Sequence, residues 1–370
     1  MANKLHDLTQ TRAEFQLRGL VTGMKSKNAY QSGESKNGNK YNSLYFGLRI
    51  NKDKIVNVKL NGFTRNEVYF YKQGENGEKG KSLKVAWKDR KKTQPEGYRL
   101  IGVNISTDHL EDGSNVNEVF TEYDAVEYLR NSLIDGESVF IRGNVSFDSY
   151  TDKNGVRQLK RELNPTQISY TREPVDFNDE EFEEMAEFSN VLVFSDIDKE
   201  TDIETNKPTG RFIVNGYSIG YNNVELVSFF IDAEDAGVAK AIKKKMNPGN
   251  AIKTFGHIKV VNNIATVNEE EDDWGNKKTS PMEPRRVNGA TNYEYVIYKV
   301  DGSTFDTETY TEEAISAAMK AVKASKEAEK KFANEEKAEK VEKKVKEEPV
   351  VDTEWVVDDD VPFDVDDDWD

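Results

Sequence analysis

In the stretch KYNSLYFGLRI (residues 40–50), Leu44, Phe46, Leu48 and Ile50 take alternate positions, and Tyr41, Ser43, Tyr45 and Arg49 fill the others. A period of two sends neighbouring side chains to opposite faces of a β-strand, so one face is apolar and the other polar and aromatic. The phase continues with Val56, Val58 and Leu60 inward and Asn57, Lys59 and Asn61 outward. EVYFYKQ (67–73) reads as a further strand ending at the Gly-Glu-Asn-Gly turn of 74–77. Val139, Ile141, Gly143, Val145 and Phe147 make another inward row, with Phe140, Arg142 and Asn144 opposite. The Asp152-Lys153-Asn154-Gly155 turn then leads into a strand near 156–170. Between these strands the spacing of Val126, Leu129, Arg130 and Leu133 predicts a helix at about 122–134.

Several strands, a helix before the last long hairpin and a glycine in mid-strand predict a small closed barrel. Gly143 marks where a strongly bent strand has no room for a side chain. The OB-fold is a five-stranded barrel of this kind. The second half repeats the pattern: the helix AEDAGVAKAIKKKM (233–246) is followed by Asn-Pro-Gly and NAIKTFGHIKVVN. An offset of 113 residues superposes Gly136 on Gly249, Gly143 on Gly256, Leu129 on Ile242 and Leu133 on Met246. Convergence on a helix–hairpin pattern is the alternative. The expected fold class is mainly β, with two OB-fold-like barrels followed by a solvated helix and a disordered acidic tail. The expected boundaries are a flexible N-terminus (1–11), a basic barrel (12–173), an acidic linker (174–186), a second barrel (187–305), a charged helix or spacer (306–348) and the tail (349–370).

Charge sharpens this division. The formal net charge is −16, yet residues 1–100 carry 21 Lys and Arg against 9 Asp and Glu. Residues 174–310 carry 14 against 26. A local field governs which partner is attracted more than the total does. A basic front half fits either a polyanion partner or an ordinary solvated face. Cysteine is absent, and His6, His109 and His257 lie far apart without metal-ligand spacing. No P-loop, nucleophile elbow or zinc-protease motif occurs. The expectation is therefore a non-enzymatic protein with no cofactor and no metal. With no apolar run near the roughly 18 residues that span a bilayer, and no signal-peptide layout at the start, the expectation is also cytoplasmic, without a membrane partner.

The last twenty residues, VDTEWVVDDDVPFDVDDDWD, contain ten acids and no Lys or Arg. Such a composition buries too little apolar surface to fold alone. Its spaced anchors Trp355, Val361, Pro362, Phe363 and Trp369 suit a partner with a basic rim around an apolar pocket. They also suit transient contact with the chain's own basic barrel. Asp358, Asp359, Asp360, Val361, Pro362 and Phe363 resemble the Asp-Asp-Asp-Ile-Pro-Phe ending of bacterial single-stranded-DNA-binding proteins. The style of KYNSLYFGLRI, GESVFIRGNVSFDSY and RELNPTQIS is similar to such proteins of phages and mobile elements of Gram-positive bacteria. The resemblance implies a bacterial or phage-infected host cell, an OB-fold that holds the strand, and a tail that recruits replication or recombination proteins. Here DVDDDWD follows the motif, so Phe363 lacks the free carboxylate on which that family's docking relies.

Sequence-tolerant strand binding combines aromatic platforms with a basic groove. The candidate platforms are Tyr41, Tyr45, Tyr69, Tyr71, Phe140 and Tyr150, each of which could equally be core. Trp87 stands beside Lys88, Arg90, Lys91 and Lys92, as in a loop closing over a strand or a tryptophan packing its own loop. Arg18, Arg49, Lys59, Arg65, Arg142, Lys160 and Arg161 are candidate phosphate contacts. Three other functions share these features: a protein–protein adaptor of a replication or virion assembly, a metal-dependent nuclease, and a strand-annealing recombination factor.

Overall fold

The computed structural model describes residues 4–347 except 36, 75–77, 93, 110–114, 152–156, 203–204 and 262–291. The turn at 152–155, most of the turn at 74–77 and the acidic tail motif lie outside the described residues. The chain folds through β1 (Ala13–Thr22), β2 (Tyr30–Glu34), β3 (Lys40–Arg49) and β4 (Ile55–Phe63). An insertion follows, a separate three-stranded sheet of β5 (Glu67–Lys72), β6 (Lys81–Ala86) and β7 (Arg99–Leu100). The hairpin of β8 (Val103–His109) and β9 (Asn115–Phe120) precedes α1 (Glu122–Ser132), and β10 (Ser138–Thr151) with β11 (Arg157–Tyr170) completes the first half. The second half runs β12 (Ala186–Thr201), β13 (Pro208–Ile219), β14 (Val224–Ile231), α2 (Ala236–Lys245), β15 (Ala251–Val261) and β16 (Asn292–Asp306). The long α3 (Glu312–Glu347) follows.

Strand connectivity defines two barrels. In the second, β12 pairs with β13 and β15, β13 with β14, β15 with β16, and β14 closes on β16 in parallel. A helix between the third and fourth strands of such a five-stranded ring is the OB arrangement. The first barrel repeats it with β1, β3, β4, β10 and β11. Here the parallel closure onto β11 is made by β8, with the insertion between β4 and β8.

The repeat read at an offset of 113 residues is geometric. Gly136 and Gly249 both adopt positive φ, at 95° and 88°. Leu133 and Met246 are the residues that cap α1 and α2, each donating its backbone N–H to Leu129 or Ile242 at 2.9 Å. Gly143 and Gly256 sit at bulges in equivalent hairpins. A Cβ on Gly143 would lie 2.0 Å from the Asn164 carbonyl oxygen, and one on Gly256 2.2 Å from that of Val296.

The barrels are not beads on a linker. β1 and β12 pair antiparallel from Ala13↔Asn190 to Leu17↔Ala186, with Phe15 opposite Phe188. Phe15 is also opposite Gly143, and Phe188 opposite Gly256. One 13-stranded sheet therefore runs through both halves. Phe147 of β10 reaches the second core, 6.2 Å from the Phe229 ring and 5.9 Å from Tyr295, while Phe188 meets Tyr295 at 5.1 Å. Between the halves, the Asn57 backbone N–H donates to the Tyr293 hydroxyl (2.8 Å) and Asn223 Nδ2 to the Phe147 carbonyl (2.9 Å).

The expectation of a flexible N-terminus needs correction. The segment before β1 is tied down: Thr11 N–H donates to the Ile219 carbonyl (2.8 Å), Leu5 N–H donates to Asn222 Oδ1 (3.2 Å), and His6 is buried. The start of α3 is packed, ahead of the charged stretch expected to be solvated. Thr311 caps it through Ala314 N–H at 3.2 Å, and Ile315 and Ala318 are buried with Tyr310 and Ile219. The first compact unit ends at Met319, within α3. Among the described residues no helix is long and apolar enough to cross a membrane.

Because Phe188 serves the aromatic cluster of both barrels, Phe188→Ala should lower stability by about 3–5 kcal/mol. Urea unfolding followed by far-UV circular dichroism measures this. A loss below about 1 kcal/mol would show that the cluster does not hold the halves together.

Candidate nucleic-acid interface

Alternation in β3 and β4 builds an aromatic surface on the first barrel. Leu44, Phe46, Leu48, Val56, Val58 and Leu60 face the core and are buried. The opposite phase places Tyr45 across from Lys59 and Tyr41 across from Phe63. Lys59 Nζ lies 4.9 Å from the Tyr45 ring centroid, and the Tyr41 and Phe63 rings are 6.0 Å apart. Tyr45 is 40% exposed and Phe63 46%. Arg49 is exposed at the end of the row. Neither strand contains an Asp or Glu. Phe63 was missed in the sequence reading, although it continues the outward phase of Asn57, Lys59 and Asn61.

The insertion carries a second set. Tyr69 and Tyr71 are exposed on β5, and Lys84 of β6 lies 5.5 Å from the Tyr69 ring. The Glu67 carboxylate, 3.1 Å from Lys84 Nζ, raises the pKa of that amine. Trp87 opens a short 3₁₀ turn, Trp87–Asp89. Its ring is 4.1 Å from the Arg90 guanidinium carbon and 6.0 Å from the Tyr123 ring. Arg90 grips Asp124 with two hydrogen bonds, Nε–Oδ2 at 2.7 Å and Nη2–Oδ1 at 2.8 Å, and Lys91 adds an ion pair at 3.0 Å. Arg90 therefore anchors the turn to α1 and is not open to a phosphate, contrary to the sequence expectation. Burial alone would raise the Asp124 carboxyl pKa, but hydrogen bonds from Arg90, Thr121 and Lys91 outweigh it and hold the group below its ordinary value. Lys88 and Lys92 are exposed, and Arg65 lies 3.8 Å from Glu122.

The remaining candidates are scattered. Phe140 (half-buried) and Arg142 (exposed) lie on β10, across β1 from β3. Tyr150 and Lys160 are on the outer part of the β10–β11 hairpin, with Lys160 paired to Glu162 at 2.6 Å. Two phosphate candidates are corrected. Arg18 is half-buried under the linker, 5.7 Å from the Phe182 ring, and donates to the Glu183 carbonyl at 2.7 Å. Arg161 falls on the inward phase of β11, 5.9 Å from the Tyr295 ring, where burial lowers its pKa.

In the second barrel the charges around Arg211 of β13 come from several strands and compensate one another. Arg211 is held by Glu200 (3.4 Å), Asp232 (2.9 Å) and Glu294 (2.6 Å), and Lys259 also pairs with Asp232. Asp196 and Asp198 are exposed on β12. Among the described residues no cluster of His, Asp and Glu has metal-site geometry.

The connectivity and the exposed cation–aromatic wall define the class: a mainly β protein of two OB-type barrels, one with a wall suited to a polyanion. The family model YorF matches residues 12–339, and the chain belongs to that family. No curated protein matches the chain. Among solved structures, it is similar to the single-stranded DNA binding protein from Thermus aquaticus, at 8% identity and a TM-score of 0.35, over 79% of this chain and 93% of that one. A deletion mutant of the same protein gives 9% identity and a TM-score of 0.36, over 79% and 94%.

The Arg90–Asp124 clamp yields a pH prediction. A carboxyl whose folded pKa lies below its unfolded value adds stability above that value and loses it as pH falls through the folded pKa. Asp124→Asn should cost about 1.5–3 kcal/mol at pH 7, and the gap to wild type should close as pH falls below the ordinary value of 3.8. Urea titrations at several pH values test this, and a gap independent of pH would contradict the clamp.

Proposed function

We propose that the chain binds single-stranded DNA, without regard to sequence, on the β3–β4 wall of the first barrel. The observation that carries the reading is the acid-free row of Tyr41, Tyr45, Arg49, Lys59 and Phe63 on an OB-type barrel. Exposed rings offer stacking surfaces to bases of any identity, and the adjacent cations meet the phosphates between them. The exposed Tyr69 and Tyr71, with Trp87, extend the aromatic surface. Nothing in this reading requires a catalytic group, so the protein acts as a binder that protects a strand during replication or recombination, in the cytoplasm of a bacterial or phage-infected cell. The Asp358–Phe363 motif supports a companion role for the acidic end in recruiting partner proteins.

Fluorescence anisotropy with labelled oligo-dT tests the reading. Tyr45→Ala should weaken binding by about 1–3 kcal/mol. Lys59→Glu should weaken it further and flatten the dependence of log K on log salt, because one counterion-releasing contact is lost. Absence of binding at low salt, or competition by duplex DNA as strong as by the single strand, would overturn the proposal. A chain ending at Pro349 should bind oligo-dT at least as tightly as the full chain. Tighter binding would show that the acidic tail competes for the DNA site, and weaker binding would contradict a tail that serves partner recruitment alone.

A further inference from the structure

A cleft of about 1060 Å³ lies between the inserted sheet and the β8–β9 hairpin, and the wall described above does not account for it. Its cations are Arg90, Lys91, Lys92 and Arg99, set against Glu118 and Asp124. Asp124 is taken up by Arg90 and Lys91, while Lys92 and Arg99 make no ion pair among the described residues. Apolar surface faces the same space: Val119 is 39% exposed, and the half-buried Phe120 is backed by Tyr128 at a ring separation of 4.8 Å. Free cations beside exposed apolar side chains suit a phosphodiester chain whose bases need a wall to lie on.

A series of contacts links the end of the β3–β4 wall to the cleft. β4 ends at Phe63, and Arg65 follows it. At the next residue, the Asn66 carbonyl accepts the Trp87 backbone N–H at 2.9 Å. Trp87 stacks against Arg90 and meets the edge of Tyr123. Close packing keeps these pieces in place, since a Cβ on Gly62 would lie 2.0 Å from the Tyr123 backbone nitrogen. Arg90, the far end of this series, is itself part of the cleft.

We infer that the cleft is a second subsite for the same single-stranded nucleic acid, reached by a strand that leaves the β3–β4 wall past Phe63 and Arg65 and turns at Trp87. This rests on the strand-binding reading and extends it: a short oligonucleotide occupies the wall alone, and a longer one gains the cleft. Arg99 meets a phosphate there, and Val119 lies against a base.

The test uses the full chain with two oligo-dT lengths, about 8 and about 30 nucleotides, chosen around the 4–16 nucleotides that one OB barrel covers. Arg99→Glu should weaken the long oligonucleotide about tenfold and the short one less than twofold. A benzophenone side chain introduced by Val119→p-benzoylphenylalanine should crosslink to the long strand and not to the short one. If the long strand binds Arg99→Glu as tightly as wild type and no crosslink forms, the subsite is wrong while the β3–β4 wall stands. If wild type binds neither length, the strand-binding reading fails and takes the subsite with it. Equal weakening of both lengths by Arg99→Glu would also overturn a separate subsite.

Discussion

The ladder from Ala13↔Asn190 to Leu17↔Ala186 brings the two halves of the chain into one hydrogen-bonded sheet. Its centre is the Phe15–Phe188 pair, and each residue pairs on its other side with the bulge glycine of its own barrel. Fixing that register fixes the direction of the next strands, and so determines which walls the barrels turn outward. Phe147, Phe229, Phe188 and Tyr295 fill the space the ladder creates, and Arg161 is drawn into it from the other strand of the hairpin. An arginine in that position is committed to the interior of the molecule.

Two barrels of one design have been given different surfaces. On the first, cations stand beside rings: Lys59 over Tyr45, Lys84 over Tyr69 and Arg90 over Trp87. On the second, Arg211 lies over Phe230 but is surrounded by three carboxylates, and Lys259 is paired with one of them. On the β3–β4 wall Lys59 and Arg49 make no ion pair among the described residues, whereas Lys84 and Arg90 of the insertion, like Arg211 and Lys259 of the second barrel, are already held by carboxylates. The two barrels share one sheet and differ in how the cations at their surfaces are paired.

Much of the fold was legible because a period of two and the Gly136/Gly249 and Gly143/Gly256 spacing are local features of the chain. The wall was legible for the same reason: Tyr45 and Lys59 are outward by phase alone. Arg18 and Arg161 were misread because their surroundings come from distant segments, the acidic linker and the second barrel, which no local pattern announces. Arg90 was misread differently. Its sequence neighbours are basic, but its partner Asp124 is 34 residues away across the inserted sheet. Arg99 carries no periodic signal, since β7 is only two residues long. The packed start of α3 and the anchored N-terminus depend on contacts with Ile219 that only the folded chain reveals.

The most direct measurement is hydrogen–deuterium exchange of the full chain, read by mass spectrometry with and without saturating oligo-dT. The account predicts slowed exchange in peptides spanning 40–63 and 81–100 on addition of the strand, with no change in the equivalent wall at 211–231. Protection centred on 211–231, or none in 40–63 while the oligonucleotide is bound, would contradict it.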